Sequence, residues 1–210
     1  NKAVSIIKTP QNGYFIGGYT LNGSEIILKL DSNGRTIFTK IFGTANQDKM
    51  ERLIHLRDGG VLAIGTSTTS REAKDNLFES GLGLNDVMVT RFSQDGQQLW
   101  NKRFGTELDD IAIDGVEAYD GSIILVSTTK TYKTAYLTLM RISQNGDKLW
   151  SLDYQKNEEI IPKKILALRN NSFLLSSVQK DELGVEQIRL INFDLQKNTI
   201  NGYGGCNKFN

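Results

Sequence analysis

The chain has 210 residues, enough for one large β domain or two small ones, and at 39% hydrophobic and 23% charged it has the composition of a folded protein. A formal net charge of +1, spread along the sequence, lacks the clustered basic face of a nucleic-acid binder. The single cysteine, Cys206, excludes an internal disulfide, the single histidine, His55, excludes a catalytic triad or a multi-histidine metal site, and no run of about 18 apolar residues forms a spanning helix.

In chain order the sequence falls into four units of about 50 residues, each with four short strand signals. Unit one reads Ala3–Lys8, Tyr14–Tyr19, Glu25–Leu30 and Thr36–Phe42. Unit two reads Glu51–Leu56, Val61–Ser67, Asp86–Phe92 and Gln98–Phe104. Unit three reads Asp114–Ala118, Ser122–Thr128, Tyr136–Ile142 and Lys148–Tyr154. Unit four reads Lys164–Leu168, Ser172–Val178, Gln187–Asn192 and a weaker Asn198–Tyr203. Gly34, Gly96 and Gly146 mark the turn before each fourth strand, and Asn198 takes that place in the last unit. The turns are built from Asn, Asp and Gly, which tolerate the positive φ of tight hairpins, so consecutive strands pair antiparallel.

Such a four-stranded meander, repeated, predicts an all-β β-propeller, or a propeller arc, of about four blades; a β-sandwich is the alternative. The repeats cover 1–198, in units of about 1–48, 49–110, 111–160 and 161–203, with a tail over 199–210. Gly17, Gly18 and Gly65 in the second strands are expected to let blades approach closely.

The motifs Asp58–Ser67 (DGGVLAIGTS), Asp86–Gly96 and Leu99–Thr106 (LWNKRFGT) resemble a group of bacterial exported propeller repeats. The Asp95–Trp100 and Asn145–Trp150 pieces also look like the tryptophan-docking repeats of quinoprotein-like propellers. The first resemblance implies an exported, periplasmic or cell-envelope protein, and the second implies that Trp100, Trp150 and, at the matching place, Phe38 dock one blade on the next. No residue set matches the cofactor shell of the enzyme branch, so no cofactor is expected. The ending Gly202–Phe209 resembles the opening of a META (HslJ-like) domain, which implies a chain continuing beyond Asn210. The start at Asn1 suggests a trimmed product, so a lipid anchor stays open.

No catalytic or metal cluster is expected. His55 reads as a strand residue with a hydrogen bond. Asp48 and Asp109-Asp110, which follow the two Phe-Gly-Thr segments, read as turn-capping acids in connecting loops rather than calcium ligands. Glu51, Asp114 and Glu117 have no spacing that argues for a glycosidase pair. Cys206 has no neighbour to activate it. The insertion Arg71–Asn85 carries Leu77, Phe78, Leu82 and Leu84 beside charges, with Tyr132 in the shorter loop of the next unit; these are the candidate partner-binding residues. The expectation is a noncatalytic scaffold that binds an envelope protein through rim loops. The alternative is a glycan- or small-ligand-binding propeller, or an enzyme with its site in the axial channel.

Overall fold

The computed structural model describes residues 1–10, 12–43, 47–68, 83–154, 160–180, 185–195 and 199–204. Among them are sixteen strands: β1 (Lys2–Lys8), β2 (Tyr14–Tyr19), β3 (Glu25–Leu30), β4 (Thr36–Phe42), β5 (Gln47–His55), β6 (Val61–Thr68), β7 (Asn85–Phe92), β8 (Gln98–Phe104), β9 (Asp109–Glu117), β10 (Ile123–Lys130), β11 (Ala135–Ile142), β12 (Lys148–Tyr154), β13 (Ile160–Ala167), β14 (Ser172–Lys180), β15 (Glu186–Asp194) and β16 (Thr199–Gly204). They form four sheets of four strands in meander order, here blades 1 to 4. The architecture is all-β and of propeller type.

The meanders follow from the turns. Asn12, Gly59, Gly121 and Asn171 hold positive φ between first and second strands, as Gly34, Gly96 and Gly146 do between third and fourth. Second strands are the central ones. β6 and β10 are buried on both faces up to their last residue, which explains their near-continuous apolar runs. Fourth strands are the exposed edges, and β4 and β12 are the plainest cases.

The first strands begin earlier than their apolar runs suggest. β5 starts at Gln47, β9 at Asp109 and β13 at Ile160. In β5 and β13 a β-bulge, at Met50/Arg52 and Pro162/Lys164, breaks the alternation and hides the strand's first half from pattern reading; β1 has the same break at Ala3/Ser5. Asp48, Asp109 and Asp110 are therefore strand residues, not loop residues. At the other end of the chain, 199–204 pairs with β15 as the last strand of blade 4.

The chain divides into two compact units, Asn1–Ala112 and Ile113–Asn210. In the first, blade 1 packs its front face on the back face of blade 2. Phe15 and Ile27 meet Met50, Leu53, Val61, Ala63 and Phe92, all buried, with Phe38 and Phe42 at the margin. Gly17 makes this approach possible: a Cβ there would overlap Met50 Sδ and stand 2.7 Å from Leu53 Cγ. Gly18 does not serve blade approach, since a Cβ there would strike the Lys2 carbonyl of its own sheet. In the second unit, Ile124, Val126, Leu137 and Leu139 of blade 3 meet Ile165, Phe173, Leu175, Ile191 and Phe193 of blade 4. Phe173 and Phe193 stack there with ring centroids 4.8 Å apart.

Candidate functional site

Each blade has one end made by the first-to-second and third-to-fourth turns. The opposite end is made by the second-to-third turn and the entry of the first strand. In the first unit the second kind of end gathers four buried acids: Glu25, Asp48, Asp86 and Asp110. Alternation places Asp86 beside Ser67 on the back face of blade 2, and Glu25 beside Phe42 on the front face of blade 1.

Three of the four are tied into the backbone around them. Asp110 accepts from the Thr106 amide at 2.6 Å and the Thr106 hydroxyl at 2.8 Å, which fixes the Phe-Gly-Thr connection to the next first strand. Asp86 accepts from Arg103 and from the Gly83 amide. Burial pushes its carboxyl up to about 6, against the opposing pull of Arg103 and Gly83, and Asp110 adds to the rise. Asp48 donates its amide to the Gly23 carbonyl at 2.7 Å, while its carboxylate lies against Gly43. The fourth is different. Glu25 Oε1 is buried with no hydrogen-bond partner among the described residues, against Gly65 of blade 2, where a Cβ would overlap it. Burial first, then the charges of Asp48 and Glu51, hold the Glu25 carboxyl well above its ordinary range, so its protonated form is favoured between the blades.

The opposite ends hold a repeated clamp. Arg91 pairs with Asp58 in blade 2, and Arg141 pairs with Asp120 in blade 3, each joining the first turn to the third strand. Burial works against ionisation of both acids. The Gly60 amide, Arg91 and His55 outweigh it at Asp58, and Ser122 and Arg141 outweigh it at Asp120, so both carboxyls titrate below their usual range. His55 ends β5, a strand residue as expected, and its Nε2 is buried without a hydrogen-bond partner among the described residues.

At the ends opposite the clamps, two second-to-third turns raise an apolar side chain on a rigid base. Leu21 is 92% exposed at the tip of Thr20–Ser24, closed by Thr20 N–H to Ser24 O and Ser24 N–H to Thr20 Oγ1. Tyr132 is 105% exposed, and the Thr131 hydroxyl below it accepts from the Lys133 and Thr134 amides while donating to the Thr134 carbonyl. Leu84 is half-buried. Leu77, Phe78 and Leu82 lie outside the described residues, as does Cys206. Sequence reasoning missed Leu21, whose signal is an apolar residue inside the polar turn T-L-N-G-S.

Phe38 stands against Gly96 of blade 2, where a Cβ would overlap its ring, and Trp150 packs at the margin of the blade 3–blade 4 core. Trp100 is half-buried. Glu51 pairs with Lys49 at 2.9 Å within the first unit. In the second unit, Asp114 accepts from the Ile165 amide at 3.1 Å and from Lys164 at 3.2 Å. Among the described residues no group of three or more acids, histidines or cysteines is placed to hold a metal ion.

In sequence the chain matches no protein-family model and no curated protein. In structure it is similar to an endo-arabinase from Bacteroides thetaiotaomicron, at TM-score 0.57 and 10% identity over 90% of this chain and 74% of that one. It is also similar to the Hadza microbial sialidase Hz136, at TM-score 0.64 and 10% identity over 95% and 45%. An exo-β-1,3-galactanase from Phanerochaete chrysosporium matches at TM-score 0.55 and 8% identity over 96% and 48%. The chain thus spans three quarters of the arabinase and just under half of the other two. At these identities the likeness is one of fold, and the fold shared is the propeller type.

Proposed function

We propose that this chain is a binding propeller that recognises a glycan through the second-to-third turn of blade 3. The observation that carries the reading is Tyr132, a fully exposed aromatic ring on a turn fixed by four hydrogen bonds that close on Thr131 and Thr134. A ring held out in this way offers an apolar face to a sugar ring without loss of loop entropy. The arabinase, sialidase and galactanase act on glycans by their names, which gives the fold a precedent for this class of ligand. Binding rather than hydrolysis is favoured because Asp58, Asp86, Asp110, Asp114 and Asp120 are each engaged by a cation or a backbone amide. We take the chain to be exported, on the resemblance of its repeat motifs alone, and an exported protein meets glycans.

The test is titration calorimetry of the chain with arabinan, β-1,3-galactan and sialylated oligosaccharides, with released sugar measured in parallel. Binding of one of them, weakened about tenfold or more by Tyr132→Ala, is the expected result. A chain indifferent to all three overturns the glycan reading.

A second reading, a scaffold for an envelope protein, is favoured by Leu21, 92% exposed, since an aliphatic tip suits a protein surface better than a sugar. Crosslinking from Lys133 to one envelope protein, with no glycan bound, would decide for it.

A further inference from the structure

We propose that the Thr20–Ser24 turn of blade 1 is latched to blade 2 through Glu25, and that the latch holds while Glu25 keeps its proton and lets go when the proton leaves.

The turn closes on itself by two hydrogen bonds between Thr20 and Ser24, so it moves as one body. A single backbone bond ties it to β5: the Asp48 amide donates to the Gly23 carbonyl at 2.7 Å. Gly23, at φ +80°, lies so near that strand that a Cβ would stand 3.1 Å from Gln47 Cα. Glu25 follows the turn directly. It is 1% exposed, and its Oε1 lies against Gly65 with no hydrogen-bond partner among the described residues.

The charges that press on Glu25 are acids. β5 brings Asp48, itself buried, and Glu51, which pairs with Lys49 at 2.9 Å; Arg52 lies past the bulge, opposite Ile64. On β2 the residue opposite Glu25 is Tyr19, with Lys2 over its ring. On β4 it is Phe42, and Lys40 of that strand lies over the Phe38 ring. β6 brings Gly65 between Ile64 and Thr66, and none of the three titrates. With the latch closed, an ionised Oε1 is a buried charge beside two acids. Lifting the turn off β5 admits water to it and relieves that cost.

The repeat shows that a seam closes without these acids. Glu25 pairs with Phe42, and the matching pairs of blades 2 and 3 are Val87 with Phe104 and Leu137 with Tyr154. Asp48 precedes the bulge of β5 as Ile160 precedes the bulge of β13. Between blades 3 and 4 the two places are therefore filled by Leu137 and Ile160, both buried in one apolar cluster with nothing to titrate. Between blades 1 and 2 they hold Glu25 and Asp48. The exchange of an apolar pair for two acids makes this one seam answer to pH. Leu21, 92% exposed at the tip of the turn, rides on the latch, so release changes how that apolar side chain is presented.

The test is amide hydrogen exchange of the whole chain, read as protection factors from about pH 5 to about pH 9. The Asp48 amide reports the latch. The Leu53 amide, which donates to Ser5 Oγ at 3.1 Å across the same seam, reports the contact behind it. Asp48 is expected to lose protection about tenfold or more relative to Leu53 as pH rises. Glu25→Gln and Glu25→Leu, the latter taking the residue that blade 3 holds there, are expected to keep the ratio of the two protection factors constant. An Asp48 amide that keeps its protection, one that loses it in step with Leu53, or the wild-type loss repeated in a folded variant of either kind overturns the proposal.

Discussion

At the scale of the residue, Glu25 carries the strongest consequence. It is a carboxyl buried against Gly65 with Asp48 and Glu51 as its charged neighbours, and its native proton affinity is raised. Unfolding frees the group to ionise at its ordinary value. The stability it contributes is therefore fully present below about pH 4.5 and is lost as pH rises through the raised native value. Glutamine imitates the protonated acid and does not ionise. Glu25→Gln is expected to leave thermal stability unchanged near pH 4 and to raise Tm near pH 8 by at least about 2 °C, the shift that about 1 kcal/mol produces in a chain of this size. Melting curves at the two pH values check it, and a variant less stable at both refutes the neutral-acid reading. Neither this role nor the unpartnered Nε2 of His55 was legible in the sequence. Each depends on what a neighbouring strand brings over the residue, and a single strand's pattern holds no record of that. Tyr132 was legible, because a tyrosine between Thr131 and Lys133 in a short polar turn has no core to enter.

At the scale of the element, the contact between blades is set by glycine against a long side chain. Gly17→Ala is expected to destabilise the chain by about 1–3 kcal/mol, since the added Cβ overlaps Met50 Sδ. Met50→Ala removes the obstacle, and the double variant is expected to fall short of the sum of the two single losses, as measured by urea unfolding. Additivity would mean that the two residues do not share the contact. The meanders were readable because hairpin turns advertise themselves in Asn, Asp and Gly, and because β6 and β10 are long apolar runs. The starts of β5, β9 and β13 were not. Polar residues such as Gln47, Lys49 and Asp109 occupy them, and in β5 and β13 a bulge interrupts the alternation. The acids of these strands consequently read as loop acids, although Asp48 and Asp110 are buried at the mouths of the sheets.

At the scale of the whole molecule, the clamps matter by what they leave out. Asp58–Arg91 closes within blade 2 and Asp120–Arg141 within blade 3, so neither borrows a residue from a neighbouring blade. A stretch of gene that encodes one such blade therefore encodes its fastening as well. Copying that stretch in tandem adds a blade that arrives already stapled, and the new blade needs only a face to lie against.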